Sequence, residues 1–119
     1  MGLLEELGTL GVNIEEGTKR LMGNAALYEK MMGTFNKMMA ESEVRAEDFD
    51  CEDCTPLIEK THAIKGASGN LSITPVYEAY TEMVALLRKG EPAKAKEVFE
   101  NVLPVQTEII DCIKKYKGQ

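Results

Sequence analysis

Residues 62–69 combine, at helical spacing, side chains that can carry out chemistry. His62, the only histidine in the chain, is followed by Lys65, Gly66 and Gly69 at three, four and seven residues, and on a helix these positions share one stripe. An exposed imidazole is largely neutral near pH 7 and can attack through its distal nitrogen. A cation one turn away can pair with an anion on the ring, and glycine leaves the backbone open to a partner. The pattern predicts phosphoryl transfer, in which catalysis is mostly positioning and charge neutralisation.

The helix that must carry His62 is predicted to begin at Thr55, which precedes Pro56, because proline is tolerated in the first helical turn. At about 100° per residue, one sector of this helix becomes the predicted core face: Leu57, Thr61, Ile64, Ser68 and Leu71. His62 lies roughly opposite and is predicted to face water. Ile58, one turn earlier on nearly the same stripe, is either part of a docking patch or a partly buried residue at the bundle edge.

The rest of the chain predicts helices and no strand, since glycine and proline fall between periodic segments and no long β-branched run occurs. The expected fold is all-α, an up-and-down antiparallel four-helix bundle with a short additional N-terminal helical segment. The first predicted helix covers residues 3–8, a capping box of Asn13 and Glu16 begins the second, and the third covers residues 25–42. Two further helices are predicted to start at Thr55 and at Thr74, and Gly90 ends the one that starts at Thr74. The last predicted helix covers residues 92–116, with a kink at Pro104.

A predicted helix and a predicted loop precede the helix that carries His62. Residues 25–42 place apolar side chains at spacings of three and four, which predicts a core-facing stripe of Leu27, Met31, Phe35, Met38 and Met39. The acidic residues 43–54 that follow lack helical periodicity and are predicted to form the longest loop.

Composition narrows the classes of protein. A chain of 119 residues with 44% hydrophobic content predicts one domain over residues 1–119. The net charge of -6 and the absence of clustered Lys and Arg disfavour nucleic acid and anionic membrane surfaces as partners. No apolar run is long enough to span a bilayer, and the N-terminal residues are acidic where a signal peptide is basic. We therefore expect a cytoplasmic protein.

The cysteines carry an alternative interpretation. Three cysteines do not form a disulfide framework, and in a reducing compartment they are expected to remain thiols. Cys51 and Cys54, at C-x-x-C spacing, together with His62 and Cys112 would supply the ligands of a Cys3His zinc site or part of a redox centre. The 50 residues between His62 and Cys112 and the exposed position of His62 weaken this metal or redox alternative, and no metal site is expected.

At residues 62–72, HAIKGASGNLS, the sequence resembles the histidine-containing phosphotransfer (HPt) domains of phosphorelays. That family's pattern is His, two residues, Lys-Gly, three residues, Asn and an aliphatic residue, often followed by Gly. Five positions match, namely His62, Lys65, Gly66, Asn70 and Leu71, and Ser72 stands where the family often has glycine. The upstream residues 17–35, GTKRLMGNAALYEKMMGTF, also resemble the family's segment with a Gly-Asn, Leu-Tyr and Phe signature.

The resemblance implies a phosphoryl carrier without its own ATP or metal site. It makes His62 the phosphoacceptor, Lys65 the cation near the phosphoryl group and Gly66 the residue that keeps the approach open. Gly69, Ile58 and Arg88 are candidates for contact with the partner or the phosphoryl group. The implied partners are response-regulator receiver domains, which hold magnesium in their own acidic pocket, and a hybrid histidine kinase. A monomer is expected, and a bundle that binds receiver domains without carrying phosphate remains an alternative.

Overall fold

The computed structural model describes residues 1–118, and over that range the chain forms helices and no strand. This confirms the predicted all-α class. The helices are α1 (Leu3–Thr9), α2 (Ile14–Arg20), α3 (Ala25–Glu41), α4 (Thr55–Asn70), α5 (Thr74–Arg88) and α6 (Pro92–Lys117), with a 3₁₀ helix at Ala46–Phe49 between α3 and α4. Their bounds lie close to the predicted segments.

The core lies between the four long helices. α4 packs on α5, α5 packs on α6, and α3 contacts both α6 and α4, while α1 lies against α6. A 26-residue helix is about 39 Å long at 1.5 Å per residue, so α6 accounts for most of the molecule's 43 Å long dimension. Pro104 lies within α6, which continues through it as one helix. Between α5 and α6, the buried Tyr80 hydroxyl donates to Gln106 Oε1 at 2.7 Å.

Asparagine side chains cap the N-termini of α2 and α3, the two helices that precede the acidic segment 43–54. Asn13 Oδ1 accepts from the Glu16 N–H at 3.1 Å, and Asn24 Oδ1 accepts from the Leu27 N–H at 3.0 Å. Each bond satisfies one of the amide groups left without a partner in a first helical turn. The predicted capping box is only half formed, because the Asn13 N–H donates to Ser72 O at 2.9 Å instead of to the Glu16 carboxylate.

The predicted apolar stripe on α3 is confirmed at Phe35 and Met39, which are buried, and is displaced by about one residue at its other positions. Leu27 is 39% exposed, and Met31 and Met38 are half-buried. The buried face consists of Tyr28, Met32, Gly33, Phe35, Asn36 and Met39. Apolar side chains are so frequent on this helix that adjacent faces carry similar periodicity. The buried face also contains the polar Asn36, so the pattern of apolar residues did not reveal it. The Asn36 Nδ2 donates to Ile110 O on α6 at 2.9 Å.

The acidic segment 43–54 is more ordered than a loop. Phe49, at the end of its 3₁₀ helix, is 2% exposed, and its ring centroid lies 5.3 Å from that of Phe99 on α6. The expectation of three free thiols is also wrong, because Cys51 and Cys54 form a disulfide. The turn before α4 brings their Cα atoms to 5.3 Å, a separation that a disulfide spans. Cys112 is free and half-buried.

Residues 1–118 contain no helix that is both long and apolar enough to cross a membrane.

Two glycines in helices should respond to alanine with opposite signs. A Cβ on Gly17 would lie 2.3 Å from the Tyr28 hydroxyl oxygen and 2.4 Å from its Cζ, whereas a Cβ on Gly66 would have no atom within 4 Å. We expect Gly17→Ala to lower the free energy of unfolding by about 1–3 kcal/mol through overpacking. Gly66→Ala should raise it by about 0.5–1 kcal/mol through helix propensity. Urea unfolding followed by circular dichroism measures both, and a stabilised Gly17→Ala variant would contradict the packing described here.

Candidate functional site

His62 lies in the middle of α4 and is exposed, as predicted. The opposite face of the helix is buried at every predicted position, namely Leu57, Thr61, Ile64 and Ser68 on α4 and Leu71 at its C-cap. Two of these side chains are polar. The Thr61 hydroxyl donates to Leu57 O at 2.9 Å and the Ser68 hydroxyl to Ile64 O at 2.7 Å, so neither is buried with an unsatisfied hydroxyl. The amphipathic character of α4 therefore fixes the outward direction of His62.

His62 lines an open cleft of about 600 Å³ between α2, α4 and α5. The wall from α4 contains the predicted stripe of Lys65, Gly66 and Gly69. Side chains one turn apart on a helix have Cβ atoms roughly 5–6 Å apart, so the Lys65 ammonium can reach an anion held on the imidazole. The structure thus brings His62 and Lys65 to one concave surface.

The two glycines of this wall have different surroundings. A Cβ added to Gly66 would meet nothing within 4 Å, so the backbone there is open to an approaching group. A Cβ added to Gly69 would lie 2.9 Å from both Cδ1 and Cε1 of Tyr77 on α5. Gly69 therefore makes room for the Tyr77 ring, which is 39% exposed and forms part of the opposite wall of the cleft.

Ser72 closes the end of the cleft in a left-handed backbone conformation, with φ of 54°. This conformation is easy for glycine and costly for other residues, which gives a physical reason for glycine at this position of the HPt pattern. Here the Ser72 hydroxyl donates to Glu16 Oε1 at 2.7 Å and accepts from Arg20 Nη1. The departure from the pattern therefore places a hydrogen-bonded side chain in the turn.

Glu16, Arg20 and Ser72 form one polar network between α2 and the turn that follows α4. Arg20 Nη2 pairs with Glu16 Oε1 at 2.9 Å. The hydrogen bond from Ser72, followed by that from Arg20, lowers the pKa of the Glu16 carboxyl. Because the folded pKa is depressed, the contribution of this carboxylate to stability is present above its unfolded pKa and is lost as pH falls through the folded one.

The upstream segment that resembles the HPt family also reaches this turn. Burial raises the pKa of Tyr28 to about 12, so its hydroxyl keeps its proton, and it donates to Leu71 O. Gly17 leaves the space that the Tyr28 ring occupies. Asn24 caps α3 and Phe35 lies in the core. Tyr28, for which Gly17 leaves room, therefore holds the turn at the end of α4, and none of these four residues lines the cleft.

Sequence reasoning missed several residues that line the cleft. Glu16 was predicted to cap α2, and Arg20 and Tyr77 were not singled out, yet all three lie in its walls. The spacing of four residues between Glu16 and Arg20 was a visible signal for an ion pair. No local signal shows that this pair reaches Ser72, which lies more than 50 residues further along the chain.

Two predicted contact residues lie outside the cleft. Ile58 is half-buried and packs against the core, which is compatible with both interpretations, a docking patch and a bundle-edge residue. Arg88 is exposed at the last position of α5, far along the helix from the turn that closes the cleft. Neither residue lines the cleft, although Ile58 lies one turn before His62 on α4.

The four residues of the zinc alternative are not brought together. Cys51 and Cys54 are joined before α4, whereas Cys112 on α6 lies with its Sγ 3.7 Å from Glu6 Oε2. Burial and the neighbouring Glu6 raise the pKa of the Cys112 thiol. Across residues 1–118, no group of three or more His, Cys, Asp and Glu side chains is arranged to hold a metal ion.

No family model, curated protein or solved structure matches the chain significantly. The HPt resemblance therefore stays a prediction that depends on the matching residues.

The left-handed turn at Ser72 gives a testable order of stabilities. Ser72→Ala and Ser72→Gly both remove the hydroxyl, but only glycine relieves the positive φ. We expect the alanine variant to be less stable than the glycine variant by about 1–2 kcal/mol in urea unfolding. Ser42, with φ of -114°, is the matched control, and there glycine should give no advantage over alanine. Equal stabilities of the two Ser72 variants would show that the turn adopts another conformation in solution.

Proposed function

We propose that this protein is a phosphohistidine carrier in a phosphorelay. The observation that carries the proposal is the placement of His62 on an open cleft, with the Lys65 side chain and the unobstructed Gly66 backbone one turn away. A nucleophile, a cation and room for a second protein surface are what phosphoryl transfer between proteins requires. The resemblance of residues 62–72 to the HPt pattern supports the same function.

The proposed reaction transfers a phosphoryl group from a receiver-domain aspartate. The neutral imidazole of His62 attacks the phosphorus through Nε2, so that an N–P bond forms while the O–P bond to the aspartate breaks and its carboxylate leaves. The ring proton on the other nitrogen stays in place, and the product is a phosphoimidazole. Lys65 offsets the negative charge on the equatorial oxygens. The reverse sequence returns the group to another receiver aspartate.

The proposal includes the arrangement of the helices. We propose that α3, α4, α5 and α6 form an up-and-down antiparallel four-helix bundle, as the HPt resemblance implies. The contacts of α3 with α4, α4 with α5, α5 with α6 and α6 with α3 close a ring of four helices. Three residues join α4 to α5, and three join α5 to α6, and such short links favour antiparallel neighbours.

The partners follow from the reaction. The carrier would receive its phosphoryl group from, or pass it to, response-regulator receiver domains, one of which can belong to a hybrid histidine kinase. Magnesium would be held in the acidic pocket of the receiver domain, and the carrier would need no ATP or metal site of its own. A monomer acting in the cytoplasm is the expected form. The negative net charge of the chain is consistent with protein partners and disfavours nucleic acid.

The central prediction concerns His62 itself. His62→Gln should abolish labelling by a phosphorylated receiver domain and leave the far-ultraviolet circular dichroism and melting temperature unchanged, because the side chain is exposed. The label on the wild-type chain should be stable in base and labile in acid. Labelling of the variant at the wild-type level would reject His62 as the acceptor.

Lys65 should affect the rate and not the ability to react. We expect Lys65→Ala to slow transfer by roughly one to two orders of magnitude, because a neighbouring cation stabilises charge without making or breaking a bond. Lys60→Ala is the matched control, since Lys60 lies on the same helix, is exposed and does not line the cleft. Rapid-quench kinetics with saturating phosphorylated receiver measures both variants. Equal rates for the two would remove Lys65 from the site.

A bundle that binds receiver domains without carrying phosphate is the second candidate. The exposed Tyr77 ring in the wall of the cleft favours protein binding at this surface in either case. The same labelling experiment separates the two functions. Binding of a receiver domain by both wild type and His62→Gln, with no phosphate on the wild-type chain under any condition, would favour the second.

A further inference from the structure

The disulfide between Cys51 and Cys54 lies where the acidic segment 43–54 meets the first turn of α4. Other contacts also hold the segment. Phe49 is buried against Phe99, and Lys60 Nζ donates to Glu43 O at 3.3 Å. Between these contacts and α4, the disulfide fixes the geometry of the turn at residues 51–54 that leads into α4. It also plays no part in the His62 cleft, because neither cysteine lines that surface.

Global stabilisation is a weak explanation for this disulfide. A disulfide stabilises largely by restricting the unfolded chain, and the effect falls as the closed loop shortens. The sequence separation here is only three residues, so the restriction is close to the smallest that a disulfide can impose. Its main effect is local, on the geometry of residues 51–54 and the start of α4.

The disulfide is also accessible to a small reagent. Both cysteines are half-buried, and a cleft of about 120 Å³ opens beside Cys51 between residues 48 and 60. Its charged lining consists of Asp48, Asp53 and Lys60. Cys54 occupies the N-cap of α4, a position at which the helix dipole stabilises a thiolate. Attack on Cys51 Sγ therefore expels the better leaving group, the Cys54 thiolate.

We propose that Cys51 and Cys54 form a reversible thiol–disulfide site that reacts with dithiols and whose oxidised form holds the acidic segment at the start of α4. A thiolate of the dithiol attacks Cys51 Sγ, forms a mixed disulfide and releases the Cys54 thiolate. The second thiol of the reagent, as its thiolate, then displaces Cys51. Two electrons and two protons pass from the dithiol to the protein, and the reagent leaves as its disulfide.

Reduction should release residues 50–54 while the rest of the segment stays in place. Phe49 remains in the core. The ion pair of Lys96 Nζ with Asp50 Oδ1, at 3.4 Å, joins a half-buried lysine to an exposed carboxylate and contributes little. The α4 N-terminus loses a constraint at Cys54, whose carbonyl accepts from the Ile58 N–H at 2.9 Å. Faster amide exchange is therefore expected from residue 50 to the first turn of α4, and not at the buried face further along.

The experiment uses the purified, air-exposed chain and needs no phosphorylation, so its failure is distinguishable from failure of the proposed function. A thiol-alkylating reagent should label Cys112 alone before treatment with dithiothreitol and all three cysteines after it. Oxidised glutathione should restore the first pattern. Amide exchange of residues 50–55 should rise by roughly tenfold on reduction, with a melting temperature lower by only about 5 °C.

Two variants serve as controls. The double variant Cys51→Ser, Cys54→Ser should show the exchange pattern of the reduced chain with or without dithiothreitol. Cys112→Ser should respond to dithiothreitol as the wild type does. Labelling of all three cysteines without reductant, resistance of the disulfide to dithiothreitol in the folded chain, failure of oxidised glutathione to restore it, or amide exchange that does not change on reduction would each overturn the proposal.

Discussion

The His62 surface depends on how the turn after α4 is held. α4 ends at Asn70, and the next residues are bound from two sides, since Tyr28 donates to the Leu71 carbonyl and the Asn13 N–H donates to the Ser72 carbonyl. Both donors come from the N-terminal quarter of the chain, far from α4 in sequence. They orient carbonyl groups at a helix end, where no intrahelical partner remains. The part of the cleft wall that Asn13, Glu16 and Arg20 form is therefore present only when this N-terminal region is docked against the turn.

The contacts that hold this turn also determine which cationic side chain of the cleft has hydrogen-bond partners. Two cationic side chains, Arg20 and Lys65, are among the described residues that line the cleft, and they differ in their hydrogen-bond partners. Arg20 is occupied by Glu16, Ser72 and the Asn70 carbonyl, which holds its guanidinium against the turn. The Lys65 side chain has no hydrogen bond or ion pair within residues 1–118, and it lies one turn from His62 on the same stripe. The Arg20 guanidinium thus holds the turn, and under the proposed function the Lys65 ammonium would pair with a phosphoryl group on the imidazole.

The sequence predicted the parts of this arrangement that depend on local periodicity. The exposed face of α4 was predictable because Leu57 and Ile64 fix the core face, and Thr61 and Ser68 fit that face by bonding to their own helix. The start of α2 was predictable from Asn13 at its N-cap, with an error in the capping box. The packed face of α3 was not predictable, because its apolar residues cover more than one face and a buried asparagine interrupts the true one.

Contacts between different helices cannot be predicted from periodicity, and one such contact explains the misjudged surroundings of Gly69. The local pattern around Gly69 suggested only an open backbone, whereas the structure shows that its missing side chain accommodates Tyr77 from the next helix. The absence of a side chain at Gly66 and at Gly69 thus has opposite consequences, since one leaves open surface and the other allows a ring to fill it. A partner approaching His62 would meet bare backbone at Gly66 and an aromatic wall at Tyr77. The cleft is consequently asymmetric, open along α4 towards His62 and bounded on the α5 side, and under the proposed function this asymmetry would restrict the directions from which a second protein could present a phosphoryl group.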